Sequence, residues 1–332
     1  MSLARIAATT LFCTAAAAAF QARAAGDPAS WPGRHAIHMI VAYPAGGVSD
    51  TVTRALAEKL TGDLGAPVVV ENRGGAAGTI GMDVVAKAAP DGYTFGFSSI
   101  SPLALNPHLM KPPFNPEKDI LPVVSVMYSP VVLLATQASD MKDIKDFPAL
   151  VELARRKPGM VSWATSGKGS VGHIMAEQVM RKADVKILDV PYKGAGQQMQ
   201  DALGSQFDVM SVNSAPMLAP QIKAGKLRPL AVAAPQRLAE YPTIPTFEEL
   251  GYPGANLSSL FGIFAPAGLP APILQRMNAA VNKALKDPKI AGILEHSDNV
   301  ATGGTPESFK QEIERQSASN ARIIEEAHIT LQ

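Results

Sequence analysis

The chain has 332 residues, of which 47% are hydrophobic, and its formal net charge is +1. This near-neutral balance argues against a nucleic-acid-binding protein, which would carry a clear basic excess. Aromatic residues make up only 6% of the chain, so a platform for stacking bases is not expected. The length exceeds what one hydrophobic core usually supports, which predicts two lobes.

Residues 1–24 have the features of an export signal. Arg5 supplies a positive charge, and residues 6–20 form an apolar stretch that is too short to span a membrane. Residues 22–24 (Ala-Arg-Ala) fit a signal-peptidase site, with cleavage after Ala24. The alternative is an ordinary N-terminal helix, but residues 6–20 have no polar face. We therefore expect export to the periplasm of a bacterium.

Export would remove the only cysteine, Cys13. The mature protein would then have no disulfide, no thiolate nucleophile and no cysteine metal site. Lipidation of Cys13 is not expected, because the bulky Phe12 precedes it. Loss of Arg5 and Arg23 would change the net charge to −1.

In chain order, short apolar runs alternate with longer amphipathic ones, and Gly, Pro or Asn mark the junctions. The first set predicts strands at 37–42, 68–71 and 93–98, with helices at 50–64 and 77–88. The second set predicts strands at 131–135, 161–165, 187–191, 208–212 and 227–233, with helices at 144–156, 171–182, 195–203 and 215–224. A connector follows at 242–254, then a strand at 261–265 and helices at 270–286 and 306–327.

This alternation predicts α/β lobes, each built on a parallel sheet that is covered by helices. Open α/β sheets bind ligands beyond the carboxyl ends of their strands. The loops expected to share such an edge are 43–50, 72–78 and 98–106 in the first set, and 166–170, 192–195 and 213–215 in the second.

The loop after the first strand, residues 43–50, is a glycine-rich turn that opens a helix. We expect Ser49 or Asp50 to cap this helix, and Asp50 otherwise to pair with Arg54. Backbone N–H groups and the positive end of the helix dipole would then point to one place, which favours a carboxylate or a phosphate. We predict that the backbone of residues 45–47 contacts this anion.

Residues 167–172 (Gly-Lys-Gly-Ser-Val-Gly) are a literal G-x-G-x-x-G between a predicted strand and a predicted helix. Asp189 ends the next strand, where a ribose-binding acid would lie, so a dinucleotide-dependent oxidoreductase is one alternative. The mid-chain position and the expected export argue against it. The same geometry suits a carboxylate at a second helix N-terminus, so a ligand with two carboxylates would bridge the lobes.

The histidines and the known catalytic motifs do not predict an active site or a metal site. His173 is either an ordinary helix residue or a donor in the cleft whose charge changes near pH 6.5. His35 and His38 form an H-x-x-H without a nearby carboxylate, so no metal site is predicted. The sequence has no G-x-S-x-G, H-E-x-x-H or Walker motif. We therefore predict a binding protein without a cofactor, not an enzyme.

Several unusual blocks occur in a fixed order along the chain: Tyr43-Pro-Ala-Gly-Gly with Asp50 and Arg54, Val68-Val-Val-Glu-Asn-Arg-Gly-Gly, Ala89-Pro-Asp-Gly-Tyr-Thr, Asn106-Pro, Pro158-Gly, Val190-Pro-Tyr-Lys-Gly, Gly225-Lys-Leu-Arg and Ala265-Pro-Ala-Gly. In these blocks the chain resembles the Bug (TctC-type) family of periplasmic solute-binding proteins, which serve tripartite tricarboxylate transporters. Leu260 stands where that family often has Trp, which leaves the ligand open.

The resemblance implies a two-lobed periplasmic binding protein of type II topology, with the ligand in the cleft between the lobes. The chain would cross between lobes near 123–128 and 242–254, so that lobe 1 is 26–125 plus 255–332 and lobe 2 is 126–254. The resemblance also implies a monomer that binds a di- or tricarboxylate, an acidic amino acid or an aromatic acid. Its partners would be the membrane permease subunits of the transporter. A ligand sensor that docks on a sensor kinase is the alternative.

The resemblance and the two glycine-rich loops together give the predicted ligand-binding residues. They are Tyr43, Ala45, Gly46, Gly47, Ser98 and Ser99 on lobe 1, and Thr165, Ser166, Gly169, Ser170, His173, Tyr192, Asn213 and Ser214 on lobe 2.

Overall fold

The computed structural model describes residues 30–330, so the proposed export signal and its cleavage site lie outside the described residues. The strands are β1 (Ile37–Val41), β2 (Val68–Asn72), β3 (Thr94–Ser99), β4 (Ile120–Ser129), β5 (Val131–Ala135), β6 (Ser162–Thr165), β7 (Leu188–Pro191), β8 (Val209–Asn213), β9 (Arg228–Ala233), β10 (Ser259–Pro266) and β11 (Val300–Ala301). The helices are α1 (Val48–Leu64), α2 (Thr79–Ala86), α3 (Ser101–Ala104), α4 (Phe147–Arg156), α5 (Val171–Ala183), α6 (Ala195–Leu203), α7 (Leu218–Lys223), α8 (Ala271–Ala284), α9 (Pro288–Glu295) and α10 (Pro306–Ala327). Within this part of the chain, no helix is both long and apolar enough to cross a membrane.

Two sheets organise the chain. The first has six strands in the order β11-β4-β10-β3-β1-β2, and the second has five in the order β7-β6-β8-β5-β9. We call each sheet with its helices a lobe: the first lobe contains β1–β4, β10 and β11, and the second contains β5–β9. Strand β1 pairs in parallel with β2 and β3, and β6 pairs in parallel with β7 and β8. The predicted parallel pairing is thus present in both lobes, but the prediction that each sheet is parallel is wrong, because β10 and β5 pair antiparallel with their neighbours.

Each sheet is covered on both faces, because its strands are apolar on both sides. In the first lobe, α1, α8 and α9 pack on one face around Phe95 and Phe97, and α2 and α10 pack on the other around Phe264. In the second lobe, α4 and α5 cover the face that holds Trp163, while α6 and α7 cover the opposite face.

Antiparallel strands complete both sheets. Strand β10 lies between β3 and β4 and is antiparallel to both, while β5 is antiparallel to β8 and β9. The starts of β10 and β5 therefore lie at the same edges as the ends of β3 and β8. This arrangement brings residues from distant parts of the chain to one edge of each sheet.

The chain changes sheets around Pro130. Strand β4 pairs with β10 as far as Ser129, opposite Ser259, and β5 begins at Val131 in the other sheet. Residues 126–129, which were predicted to belong to lobe 2, thus pair within the first sheet. The remaining lobe limits stay a prediction.

Candidate functional site

A cavity lies between the facing edges of the two sheets. Its lining residues are Tyr43, Pro44, Gly47, Val48, Ser49, Ala77, Ser99, Ser101, Ser259 and Phe261 from the first lobe, and Val131, Ser166, Ser170, Val171, Gly172, Ala195, Ser211, Val212 and Asn213 from the second. None of these lining residues carries a formal charge, and seven of them are serines.

The first glycine-rich loop ends in a helix that begins earlier than predicted. Helix α1 has Gly47 as its N-cap and starts at Val48, so the prediction that Ser49 or Asp50 caps it is wrong. The reason is the left-handed conformation of Gly46, with φ of 91°, which turns the chain sharply enough for the helix to start directly. The first-turn N–H groups near Val48 and Ser49 consequently lie at the cavity wall.

Asp50 stabilises this loop from behind. Its Oδ2 accepts a hydrogen bond of 3.1 Å from the Gly46 N–H, and its Oδ1 lies 2.9 Å from Arg54 Nη2. Burial alone would raise the pKa of Asp50, but the hydrogen bonds it receives, first that from Arg54, outweigh burial and lower the pKa. The Gly46 N–H is therefore used inside the protein, and the predicted pairing of Asp50 with Arg54 is present.

Tyr43 lines the cavity from the first lobe. Its hydroxyl lies 2.6 Å from Ser99 Oγ, and its ring packs edge-on against Phe261. Ser99 Oγ also accepts a hydrogen bond from the Ser101 N–H at 3.2 Å. Burial raises the pKa of Tyr43, so its hydroxyl remains a neutral donor.

The second glycine-rich loop precedes α5. Gly167 and Gly169 have φ values of 121° and 80°, which are left-handed conformations that glycine adopts without strain. Ser170 is the N-cap of α5, and its Oγ accepts a hydrogen bond of 3.2 Å from the His173 N–H. A serine hydroxyl that accepts in this way still has its own proton to donate. Ser170 therefore caps the helix and faces the cavity at once.

A cluster of ionisable groups, of which His173 is buried and Glu177 and Asp189 are half-buried, lies behind this loop. His173 Nε2 lies 3.7 Å from Glu177 Oε1, and the His173 Nδ1 is buried without a partner among the described residues. Burial lowers the pKa of His173, against the opposing charge of Asp189. Burial, with added repulsion from Asp189, raises the pKa of Glu177. His173 is thus a neutral residue behind the cavity wall.

Comparisons with known proteins agree with this architecture. Residues 52–329 match the family described as the tripartite tricarboxylate transporter family receptor, TctC. The chain belongs to the TctC family. Protein BugT of Bordetella pertussis is 36% identical over 272 residues, which cover 81% of each chain.

Solved structures of similar proteins share the fold over almost the whole TctC chain. The periplasmic binding protein BugD is 30% identical, with a TM-score of 0.85 over 91% of this chain and 100% of its own. Rpa4515 of R. palustris, solved with adipate, is 29% identical, with a TM-score of 0.84 over 90% and 99%. MatC from Rhodopseudomonas palustris, solved with malate, is 28% identical, with a TM-score of 0.81 over 89% and 100%. The predicted family and the two-lobed binding-protein fold are confirmed.

In this TctC protein the structure brings together six of the residues predicted from the sequence. They line the cavity from both lobes and are Tyr43, Gly47, Ser99, Ser166, Ser170 and Asn213. The amide Nδ2 of Asn213 also donates to the Ser129 carbonyl at 3.3 Å, which ties the cavity wall to the first crossing of the chain.

Four other predicted residues lie near the cavity but outside its lining. Ala45 and Gly46 form the exposed tip of the first loop. Ser98 is fully buried, with its Oγ near the Tyr43 hydroxyl. Gly169 lies against Asn106 of the first lobe, because a Cβ there would be 2.5 Å from Asn106 Oδ1.

The remaining four predicted residues have partners inside the second lobe or at its border. His173 lies in the ionisable cluster described above, and Thr165 Oγ1 donates to Asp189 Oδ1 at 3.3 Å. The Tyr192 hydroxyl donates to Asp201, and burial together with Asp201 raises the pKa of Tyr192 to about 12. Ser214 is buried, and its N–H donates to the Pro130 carbonyl. Ligand contact by these four stays a prediction.

Sequence reasoning missed the part of the wall that antiparallel strands supply. Val131 begins β5 opposite Asn213, and Phe261 lies in β10 opposite Ser99. It also missed Ser49, because that residue was assigned to a cap, and Ser211, whose Oγ accepts a hydrogen bond from Trp163 Nε1 at 3.1 Å. Ser259, a polar residue directly before an apolar run, was the feature of the sequence that could have indicated this part of the wall.

Proposed function

We propose that this chain captures a small organic dicarboxylate in the cavity between its lobes and presents it, in the periplasm, to the permease subunits of a tripartite transporter. The proposal rests on the cavity wall, which is rich in hydroxyls and carries no formal charge. The N-termini of α1 and α5 contribute to this wall from opposite lobes. The relatives solved with adipate and with malate support the same ligand class.

Two helix N-termini favour an anion at each end of the ligand. The first-turn N–H groups of a helix have no intrahelical partner and carry the positive end of its dipole. Gly47 and Ser49 bring this feature to the wall from the first lobe, and Ser170 and Gly172 bring it from the second. A carboxylate at each end would therefore interact with both lobes at once, without any cationic side chain.

The two helix N-termini and the polarity of the cavity favour a dicarboxylate over an aromatic acid with one carboxylate and over an acidic amino acid. An aromatic acid with a single carboxylate would leave one of the two helix N-termini without an anion. An acidic amino acid would leave its ammonium without a carboxylate partner, since no lining residue is acidic.

Capture follows from the different affinity of the ligand for the open and closed forms. A dicarboxylate that contacts both lobes interacts more strongly with the closed form, so it shifts the population toward closure. A site built from hydroxyls and backbone groups holds the ligand without activating a nucleophile, which is the reason to propose binding and not catalysis.

A thermal-shift screen tests the proposal. The protein is unfolded and refolded to remove any bound ligand, then heated with dicarboxylates, citrate, glutamate, benzoate and NAD. At about 100 times its dissociation constant, a true ligand adds roughly 2.7 kcal/mol of stability, which raises Tm by a few degrees. We expect a selective shift with dicarboxylates. A shift with NAD alone, or an equal response to every anion, would contradict the proposal.

A further inference from the structure

The two lobes touch at Pro44 and Gly194, beside the cavity. A Cβ built on Gly194 would lie 2.4 Å from Pro44 Cδ and 3.0 Å from Pro44 Cγ. Carbon atoms in contact are normally about 3.5–4.0 Å apart. The backbone of Gly194 is extended, with φ of 162°, which any residue adopts. The need for glycine therefore comes from Pro44 in the opposite lobe, and not from the conformation of the chain.

Pro44 is held in place by its own lobe at this contact. Gly74 of the same lobe also approaches this ring, and a Cβ there would be 2.4 Å from Pro44 Cδ and 2.8 Å from the Pro44 nitrogen. The preceding carbonyl, that of Tyr43, accepts a hydrogen bond of 3.0 Å from Asn72 Nδ2. Pro44 is thus a rigid ring in close contact with two glycines, one from each lobe.

The contact continues along both loops. A Cβ on Gly196 would lie 2.6 Å from the Ala45 carbonyl oxygen, and a Cβ on Gly47 would lie 3.5 Å from the Ala195 Cβ. Pro44, Gly47 and Ala195 also line the cavity. The distance between the lobes at this contact therefore determines the width of the cavity beside it.

We propose that the Pro44–Gly194 contact is the stop that fixes how far the lobes close, and that it thereby sets the length of carboxylate that the cavity accepts. This inference rests on the proposed function. A methyl group at position 194 would hold the lobes apart by about 1–1.5 Å, the shortfall between the 2.4 Å approach and ordinary carbon contact. That distance is close to what one methylene adds to an extended ligand.

The test compares Gly194→Ala with the parent protein in calorimetric titrations with unbranched dicarboxylates from malonate to suberate. We expect the best-bound acid to become at least one carbon longer. Affinity for the parent's best acid should fall by about 10- to 200-fold, which is the range for a misfit of one methylene. Adding Pro44→Ala, which removes the obstructing Cγ and Cδ, should return the optimum toward the parent's.

Gly204→Ala is the matched control. Gly204 lies at the other end of α6, where a Cβ would have its nearest neighbour at an ordinary 3.5 Å. This variant should keep the parent's optimum. An unchanged optimum in Gly194→Ala, or an equal loss of affinity for every chain length, would overturn the proposal.

A disulfide between the lobes measures closure without any ligand. Gly47→Cys with Ala195→Cys would place two Cβ atoms about 3.5 Å apart, which is within disulfide range. We expect Gly194→Ala to slow this crosslink and added Pro44→Ala to restore it, and an unchanged rate would overturn the stop. If no dicarboxylate binds the parent while Gly194→Ala still slows the crosslink, the proposed function fails and the stop stands.

Discussion

Removal of the Ser170 hydroxyl should affect both stability and ligand binding, for separate reasons. In the ligand-free protein, Ser170→Ala deletes the hydrogen bond from the His173 N–H to Ser170 Oγ, which is 3.2 Å long. Loss of a serine N-cap costs about 0.5–2 kcal/mol of stability. For a chain of this size we expect Tm to fall by roughly 1–2 °C for each kcal/mol lost.

The effect on affinity comes from the proton of the same hydroxyl. Because Oγ accepts from the backbone, its proton is left to donate into the cavity. A hydrogen bond to a charged group contributes about 1.5–3 kcal/mol, so Ser170→Ala should weaken dicarboxylate binding by roughly 10- to 150-fold. Titration calorimetry on refolded protein, with the dicarboxylate that gives the largest thermal shift, measures this change.

Asp146→Ala separates the two effects. Asp146 caps α4 in the same lobe, where its Oδ1 accepts from the Ala149 N–H at 2.9 Å, and it does not line the cavity. It should lose a similar amount of stability and retain the parent's affinity. If Ser170→Ala weakens binding no more than Asp146→Ala does, Ser170 does not donate to the ligand.

Two further predictions concern stability. Gly172→Ala places a Cβ 2.3 Å from Ser211 Oγ, so urea unfolding should show that the free energy of unfolding falls by about 1–3 kcal/mol from overpacking. Adding Ser211→Ala should recover part of this loss. A Gly172→Ala variant as stable as the parent would refute the packing argument. Hydrogen bonds from Arg315 lower the pKa of Glu312 from its ordinary 4.5 to about 2. As the pH falls, Glu312 is therefore protonated in the unfolded chain before it is protonated in the folded protein. The stabilisation that Glu312 provides above pH 4.5 is consequently lost between pH 4.5 and pH 2. Glu312→Gln should therefore lose less stability than the parent between pH 4.5 and 2, and parallel pH profiles would contradict this.

The sequence was sufficient for the local features of the fold. Strand β1 is an apolar run bounded by turn residues, and its parallel pairing with β2 and β3 follows from the helices between them. The loops after these strands consequently share an edge, which is why Tyr43 and Ser99 were found. Ser166, Ser170 and Asn213 were found by the same reasoning in the second lobe.

Long-range pairing accounts for what the sequence could not reveal. Nothing in the local pattern of β10 indicates that Phe261 pairs with Ser99, some 160 positions earlier, or that Val131 pairs with Asn213. Exact helix starts were also out of reach, because the helix begins at Val48 only through the left-handed turn at Gly46. His173 was ambiguous for a similar reason, since burial behind the loop depends on tertiary packing.

A crystal structure of the refolded protein with the best-bound dicarboxylate tests the central claim most directly. The account predicts one ligand between the lobes, with one carboxylate at the start of α1 near Gly47 and Ser49 and the other at the start of α5 near Ser170. Contacts should come from hydroxyls, backbone N–H groups and water, without a Lys or Arg side chain. A ligand bound elsewhere, or a carboxylate held by a cationic side chain in the cleft, would contradict the account.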